Sequence, residues 1–418
     1  LDAAMALLSD RRFLILLALG FSAGLPLPLT AFTLRQWMSE SGVSLAAIGF
    51  TALIGLAYAL KFLWSPAIDH LPPPVFRHLG RRRGWLASIQ LPLAGAILCL
   101  GLTDPASGPA LTAAVAVGVA FLSASQDIVI DAYRIEILEE REQGYGLACY
   151  IWGYRGALLV SNAGALAVAE FAGWSAAFAM CALLVGVGFA AVLAGAEPPA
   201  PERAPMGWAA RLRHAVVDPF RDFARREWWW LILAFVCLYK LGEALAGVMT
   251  APLYRSLGFT RLEVAQVASV FGLFATLLGA LAGGWLVARI GIGRALVITG
   301  LGQMLSNLMY VALAEAGHDI GMLYAQVGVE NFTDGLADAA FVAYLSSLTS
   351  RAYTATQYAL LSSLAAVPLR SFGAGSGVLA EAMGWTWFFL LTTAAALPAM
   401  AIMLVLLWKF PPKEGARA

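Results

Sequence analysis

The sequence predicts an all-α integral membrane protein, with twelve transmembrane helices arranged as two pseudo-symmetric six-helix bundles. Three observations carry that expectation. The 418 residues are 60% hydrophobic and only 13% charged, whereas a soluble domain carries about 25% charged residues. Twelve apolar runs are each long enough to cross a bilayer, which takes roughly 20 residues. The longest polar segment, AEPPAPERAPMGWAARLRHAVVDPFRDFARRE at 196–227, divides those runs six and six.

The runs lie at about 13–38, 46–69, 85–103, 109–138, 144–168, 173–195, 228–255, 262–287, 294–314, 320–348, 353–381 and 385–410. Turn or charge signals separate them: TDPASGP at 103–109, EEREQG at 139–144, SR at 350–351. The expected domains are a bundle at 1–195, a cytoplasmic linker at 196–227, a second bundle at 228–410 and a tail at 411–418. The first run is too long for a signal-peptide core and has no A-x-A site behind it, so it reads as a permanent span.

Basic residues set the orientation. With the N-terminus in the cytoplasm, 19 of the 27 Lys and Arg fall inside, among them Arg81, Arg82, Arg83, Arg141, Arg203, Arg211, Arg289, Arg351, Lys413 and Arg417. The outer loops keep Arg255 and Arg261, with Arg35 near an outer end. Both termini are therefore expected in the cytoplasm. Trp228, Trp229 and Trp230 open the seventh span where an interfacial belt should lie.

Composition also excludes functions. A net charge of +1 gives no reason to expect nucleic acid. Cys99, Cys149, Cys181 and Cys237 sit in separate apolar runs and make neither a metal pattern nor a disulfide framework. His70, His78, His214 and His318 fall in loops or near span ends, so no bound metal is expected. No G-x-x-x-x-G-K-[ST] is present for ATP, and no Ser-His-Asp set shares one depth. The chain reads as neither an enzyme nor a cofactor protein.

The two halves look alike. The fifth span ends LAVAEFAGWSAAF and the eleventh VLAEAMGWTWFF; TLRQWMSESGVSLAAIG follows the first span and PLYRSLGFTRLEVAQ the seventh. Internal repeats of this kind mark transporters, with a site expected near the midplane between halves. The loop WSPAIDHLPPPVFRHLGRRRGW and its counterpart GGWLVARIGIGR resemble the G-x-x-x-D-R-x-G-R-R signature of the major facilitator superfamily. Asp69 keeps the acid in the first copy and Ala288 replaces it in the second, where Gly284, Arg289, Gly291 and Arg294 remain. Asp69 with Arg81, and Arg289 opposite, are expected to act in gating or stability.

Charges inside the spans carry the functional expectation. Each costs roughly 2.5–3.5 kcal/mol at the bilayer centre, so each needs a partner or a wet cavity. SASQDIVIDAYR places Asp127 and Asp131 at i, i+4, on one helix face. Two carboxylates in one low-dielectric face oppose each other's ionisation unless a cation intervenes, which is how a proton site is made. LYKLGEA places Lys240 and Glu243 at i, i+3, and the tenth span adds Glu330, Asp334 and Asp338 at spacings of four. Hairpin register puts Asp127 at the depth of Arg155, and Asn331, with Glu330 beside it, at the depth of Arg370. A structural salt bridge is the alternative for Asp127–Arg155 and Lys240–Glu243, although replacing buried pairs by apolar residues is often neutral. Lys61 and Arg134, nearer the cytoplasmic ends, are expected to snorkel. Proton-coupling candidates are thus Asp127, Asp131, Glu243 and Glu330, with sodium as the competing ion.

SASQDIVIDAYR, GYRGALLVS, LYKLGEA, VEN in the tenth span, TATQYALLSSLAAV in the eleventh, GFSAGLPLPLT in the first and KFLWSPAIDH…GRRRGWL after the second together resemble the AmpG-type muropeptide permeases. The resemblance runs in order from about residue 20 to about 400. It implies the major facilitator fold and proton-driven import of N-acetylglucosaminyl-1,6-anhydro-N-acetylmuramyl peptides across the bacterial inner membrane. Cytoplasmic peptidoglycan recycling follows, with β-lactamase induction in some bacteria. Against such a cargo, Arg155, Arg370 and Lys240 are candidates for its carboxylates. Gln126, Tyr154 and Asn331 are candidates for its sugar hydroxyls and amides. Trp37, Trp64 and Trp152 could stack on sugar rings, packing or anchoring being the simpler role for each. Glu243 stands where the family often has aspartate, and FTDGLADAA departs from the family pattern. Acyl-coenzyme A is the alternative cargo, through a shared QD motif, and a non-transporting sensor the alternative outside transport. A monomer is expected.

Overall fold

The computed structural model describes residues 10–139, 142–199, 213, 217–348 and 354–409. Arg141, Arg203, Arg211, Arg351, Lys413, Arg417, half of the 196–227 linker and the 411–418 tail lie outside them.

Twelve helical rods cover the described chain, and no strand occurs among the described residues. They are α1 (Arg11–Glu40), α2 (Leu45–Leu63), α3 (Arg81–Gly101), α4 (Pro109–Ile137), α5 (143–172) and α6 (Trp174–Ala194) in the first half. The second half holds α7 (Trp229–Ser256), α8 (Arg261–Ile290), α9 (Ile292–Ala316), α10 (Ile320–Ser347), α11 (354–383) and α12 (385–409). The expected spans match within four residues at every end but one. There α2 stops at Leu63 and a short helix, Ser65–His70, carries on.

Local signals explain the ends. Asp10 caps α1, accepting from the Arg12 amide at 2.8 Å. Pro109 opens α4, where its missing N–H costs nothing. Thr260 and Glu263 form a capping box on α8, and Asp319 accepts from the Met322 amide at 2.9 Å at the head of α10. Corners are made by glycines with left-handed φ, a conformation that other residues pay roughly 1–2 kcal/mol to adopt. Six of them fall at matched places in the two repeats: Gly42 and Gly258, Gly80 and Gly291, Gly173 and Gly384.

Several rods are irregular, and four of the departures bear on the site. α1 is interrupted at Thr30–Ala31, just after Pro26 and Pro28. α7 breaks at Tyr239–Lys240, where Lys240 has φ −101° and ψ 18°. α5 and α8 each widen into a π-helical stretch, at Val160–Gly164 and Ala265–Phe271. Such departures concentrate at functional sites.

By contacts the chain forms two units, Leu1–Val43 with Leu60–Met206, and Ser44–Ala59 with Gly207–Ala418. In the first, Leu16 and Leu19 of α1 pack with Leu86 of α3, Val129 and Ile130 of α4 and Val192 of α6. α5 docks on α1 at backbone distance. A Cβ on Gly20 or Gly153 would overlap the carbonyl of Tyr150 or Leu17, and one on Gly24 would lie 2.5 Å from the Tyr154 oxygen. Small residues that let helix backbones touch are the usual glue between helices in lipid. In the second unit, Phe235 of α7 meets Tyr344 of α10 edge to face at 5.4 Å, with Leu296 of α9 and Met400 and Met403 of α12 around them.

Candidate functional site

In the first unit, the face of α4 bearing SASQDIVIDAYR divides its polar groups. Gln126 is fully buried and held by α1: Ser22 Oγ donates to its Oε1 at 3.1 Å, and its Nε2 donates to the Ser22 carbonyl at 3.0 Å. Asp127 Oδ1 is buried with no hydrogen-bond donor among the described residues. One turn on, half-exposed Asp131 lies 3.7 Å from Lys61 Nζ. Lys61 therefore reaches an acid inside the unit.

The register pairs are not contacts. Among the described residues no carboxylate lies within ion-pair distance of Arg155, and none lies so close to Arg370. Matching sequence numbers across a hairpin fixes depth but not the direction a helix faces. α5 turns Gly153 to α1, whose Gly20 and Gly24 meet it, rather than packing along α4. Arg370 lays its guanidinium over Gly55 of α2, so close that a Cβ there would sit 2.5 Å from Cζ. Asn331 instead accepts from Thr276 Oγ1 of α8 at 3.0 Å and donates to Glu330 at 2.8 Å. Tyr154 stays partly open beside Tyr150, ring centroids 6.0 Å apart. Of the tryptophans, Trp37 stacks on Trp174 at 5.9 Å, Trp64 donates to Ser125 Oγ at 3.0 Å, and Trp152 is 74% exposed.

The second unit brings together more charge than the sequence pairs suggested. Lys240, at the break in α7, puts its ammonium 2.9 Å from Glu243 and 2.9 Å from Asp334 of α10, and against Asp338 one turn further. Gln303 of α9, buried, donates to Glu243 at 2.5 Å and to Asp334 at 3.1 Å. Gln303 was not singled out in the sequence, where a lone glutamine in an apolar run was the only clue. A second polar seam runs nearby: Tyr254 donates to Gln326 at 2.8 Å, and Tyr310 shares a hydrogen bond with Thr250 at 3.2 Å.

At the end of α3, Arg81 and fully buried Arg82 both grip Glu136 of α4, at 2.9 and 2.6 Å. Glu197 accepts from the amides of Arg82 and Arg83 at 2.8 and 3.0 Å and so caps the helix. Neither glutamate was singled out in the sequence, because their partners are set by tertiary packing. The Asp69 side chain, expected beside this cluster, lies outside the described residues. Arg289 packs over the Trp285 ring at 5.4 Å. Glu136→Gln takes a carboxylate partner from the buried Arg82 guanidinium, and breaking a buried pair from one side costs about 3–5 kcal/mol. A fall in the detergent melting temperature would register it; an unshifted melt would mean that solvent already screens the pair.

Residues 12–368 and 238–418 match the Major Facilitator Superfamily. The chain belongs to the major facilitator superfamily. Within the superfamily it is 43% identical over 400 residues to the anhydromuropeptide permease of Escherichia coli K12, covering 94% of this chain and 79% of that one. A Rickettsia felis relative is 33% identical, covering 95% of this chain and 97% of that one. Among solved structures, a bacterial homologue of the human lysosomal transporter Spinster superposes with TM-score 0.72 at 14% identity, over 98% of this chain and 100% of that one. That last likeness shows the fold alone. The AmpG-type resemblance read from SASQDIVIDAYR, LYKLGEA and the other motifs is borne out, as are the all-helical membrane fold and the absence of an enzyme's identity. As a superfamily member the protein is a multi-pass membrane transporter.

Proposed function

We propose that the protein imports anhydro-muropeptides from periplasm to cytoplasm by proton-coupled alternating access, feeding peptidoglycan recycling. The observation that carries the cargo is the 43% identity with the E. coli permease over nearly the whole chain. It acts in the bacterial inner membrane as a monomer, with both termini cytoplasmic and the 196–227 segment joining two six-helix halves. The cargo is bulky, polar and anionic. Arg155 and Arg370, each without a carboxylate partner among the described residues, suit its carboxylates, since arginine can bind them bidentately. Tyr154 and Asn331 suit its hydroxyls and amides. Gln126, whose amide is taken up by Ser22, joins them only if α4 and α1 part during the cycle.

Proton coupling is supported by acids placed inside spans. A proton moving inward gains about 2.3 kcal/mol per 100 mV of membrane potential. Asp127, with a buried oxygen that no donor among the described residues reaches, is the first-unit acid best placed to take one up. Reconstitution tests this. Labelled anhydro-muropeptide should accumulate in proteoliposomes under an inward proton gradient and stop doing so when an ionophore collapses it. Asp127→Asn should reduce accumulation at least tenfold while leaving the melting temperature unchanged. Uptake that survives collapse would overturn proton coupling and bring sodium forward. No uptake by folded protein would overturn the cargo and favour an acyl-coenzyme A or another anionic conjugate.

A further inference from the structure

The second unit holds a site that the reading above leaves undivided. Lys240 is the one cation within ion-pair distance of Glu243, Asp334 and Asp338 among the described residues. Asp338 has half its side chain exposed, so solvent can support its charge. Lys240, Glu243 and Asp334 are less exposed, at 15%, 31% and 21%, and set one ammonium against two carboxylates, a surplus of one negative charge inside a membrane span. Glu243 Oε2 and Asp334 Oδ1 accept from the same two donors, Lys240 Nζ and Gln303 Nε2. By their distances to Gln303 Nε2 those two oxygens lie no more than about 5.6 Å apart, and carboxylates this close oppose each other's ionisation, so that one of them is favoured to hold a proton.

A second observation points to traffic at this place. Glu243 and Gln303 line a small cavity with Tyr239, Gly242, Gly300, Met304 and Asn307. The Tyr239 hydroxyl on its wall is buried, the residue being 5% exposed, and among the described residues it makes no well-aligned hydrogen bond, with the Thr299 side chain beside it. A buried hydroxyl without a well-aligned partner beside a carboxylate suits a water-sized occupant that could pass a proton to Glu243. α7 brings Lys240 and Glu243 with Tyr239, and α10 brings Asp334 and Asp338, with Glu330 one turn away bonded to Asn331. α9 brings the neutral Gln303 and Asn307, and α12 brings Ala396 and Met400. On α11, Arg370 covers Gly55 and Glu381 accepts from the Ala46 amide.

We propose that Glu243 and Asp334 form a carboxylate dyad that binds and releases one proton per cycle, with Lys240 and Gln303 as bridging donors and Asp338 as a solvent-side anchor for the ammonium. Protonation leaves Lys240 paired with the ionised partner and Asp338. Loss of the proton leaves the surplus charge that makes the state unfavourable until the centre is wetted. This deepens, and rests on, the reading of the chain as a proton-coupled carrier.

The test needs no cargo, so it separates the dyad from that reading. Infrared difference spectra of the full chain, taken across a pH step, report the carbonyl stretch of protonated carboxyl groups. Glu243→Gln and Asp334→Asn should each remove the same share of that band. The double variant should remove no more than either alone, because one shared proton is lost once. An undiminished band in the single variants, or an additive loss in the double, would overturn the dyad. Should the amide variants fail to fold, Glu243→Asp must shift the band, and an unmoved band would overturn it. In the unsubstituted protein, sodium at constant pH should leave the band intact. Its displacement by sodium would overturn the proton assignment in favour of an alkali cation.

Discussion

Valine at Gly153 is expected to leave no folded protein. The position lies on α5 where the helix rests on α1, and a Cβ there would overlap the Leu17 carbonyl and crowd the Phe21 amide. Both obstacles are backbone, so no side-chain rotation relieves them. Overpacking into movable side chains costs typically 1–3 kcal/mol; here two helices must separate, and total stability is only about 5–15 kcal/mol. Size-exclusion profiles and thermal melts in detergent would show it. Gly156 on the same helix is the control, because nothing lies within 4 Å of its would-be Cβ. Gly156→Ala should hold or raise the melt, alanine being favoured over glycine by about 1 kcal/mol in a helix. A Gly153→Val protein that melts with the parent would mean that α1 and α5 do not approach as described.

Lys240→Met should be nearly as damaging for a different reason. It removes the ammonium that Glu243, Asp334 and Asp338 share. Breaking a buried pair from one side costs about 3–5 kcal/mol, because the abandoned charge remains. Removing the charges together should restore stability. The triple variant Lys240→Met, Glu243→Gln, Asp334→Asn is expected to melt at or above the parent while accumulating no cargo. That pattern distinguishes a centre kept for its work from one kept for support. A single Lys240→Met variant with the parent's melt would show that water already shields the acids, and the cluster would lose its energetic argument.

Much of this architecture was legible in the residues. Apolar run length placed all twelve rods, because a bilayer demands it. The repeats AEFAGW and AEAMGW located Gly173 and Gly384, where the left-handed corners are found. The i, i+3 spacing in LYKLGEA put Lys240 beside Glu243, and the two do meet at 2.9 Å. What failed was partner choice across helices. Depth follows from counting along a hairpin, but which way Asp127, Arg155, Asn331 and Arg370 face depends on which helices their glycines let approach. The i, i+4 spacing of Asp334 and Asp338 announced a common face; that this face meets Lys240 depends on how α10 sits against α7. Gln303 was invisible because a glutamine in an apolar run has no partner until α9 is placed.

The matched glycine corners have a consequence for how the protein can be altered. Corners at Gly42 and Gly258, Gly80 and Gly291, Gly173 and Gly384 cut the rods of the two repeats at equivalent points. The side chains along those rods then vary without renegotiating the frame: Lys61 with Asp131 in one copy, Lys240 with three acids in the other. Grafting the charged positions of one repeat onto the other is thus a change of inscription on an unchanged page, and a chimera built that way would test the chemistry without retesting the architecture.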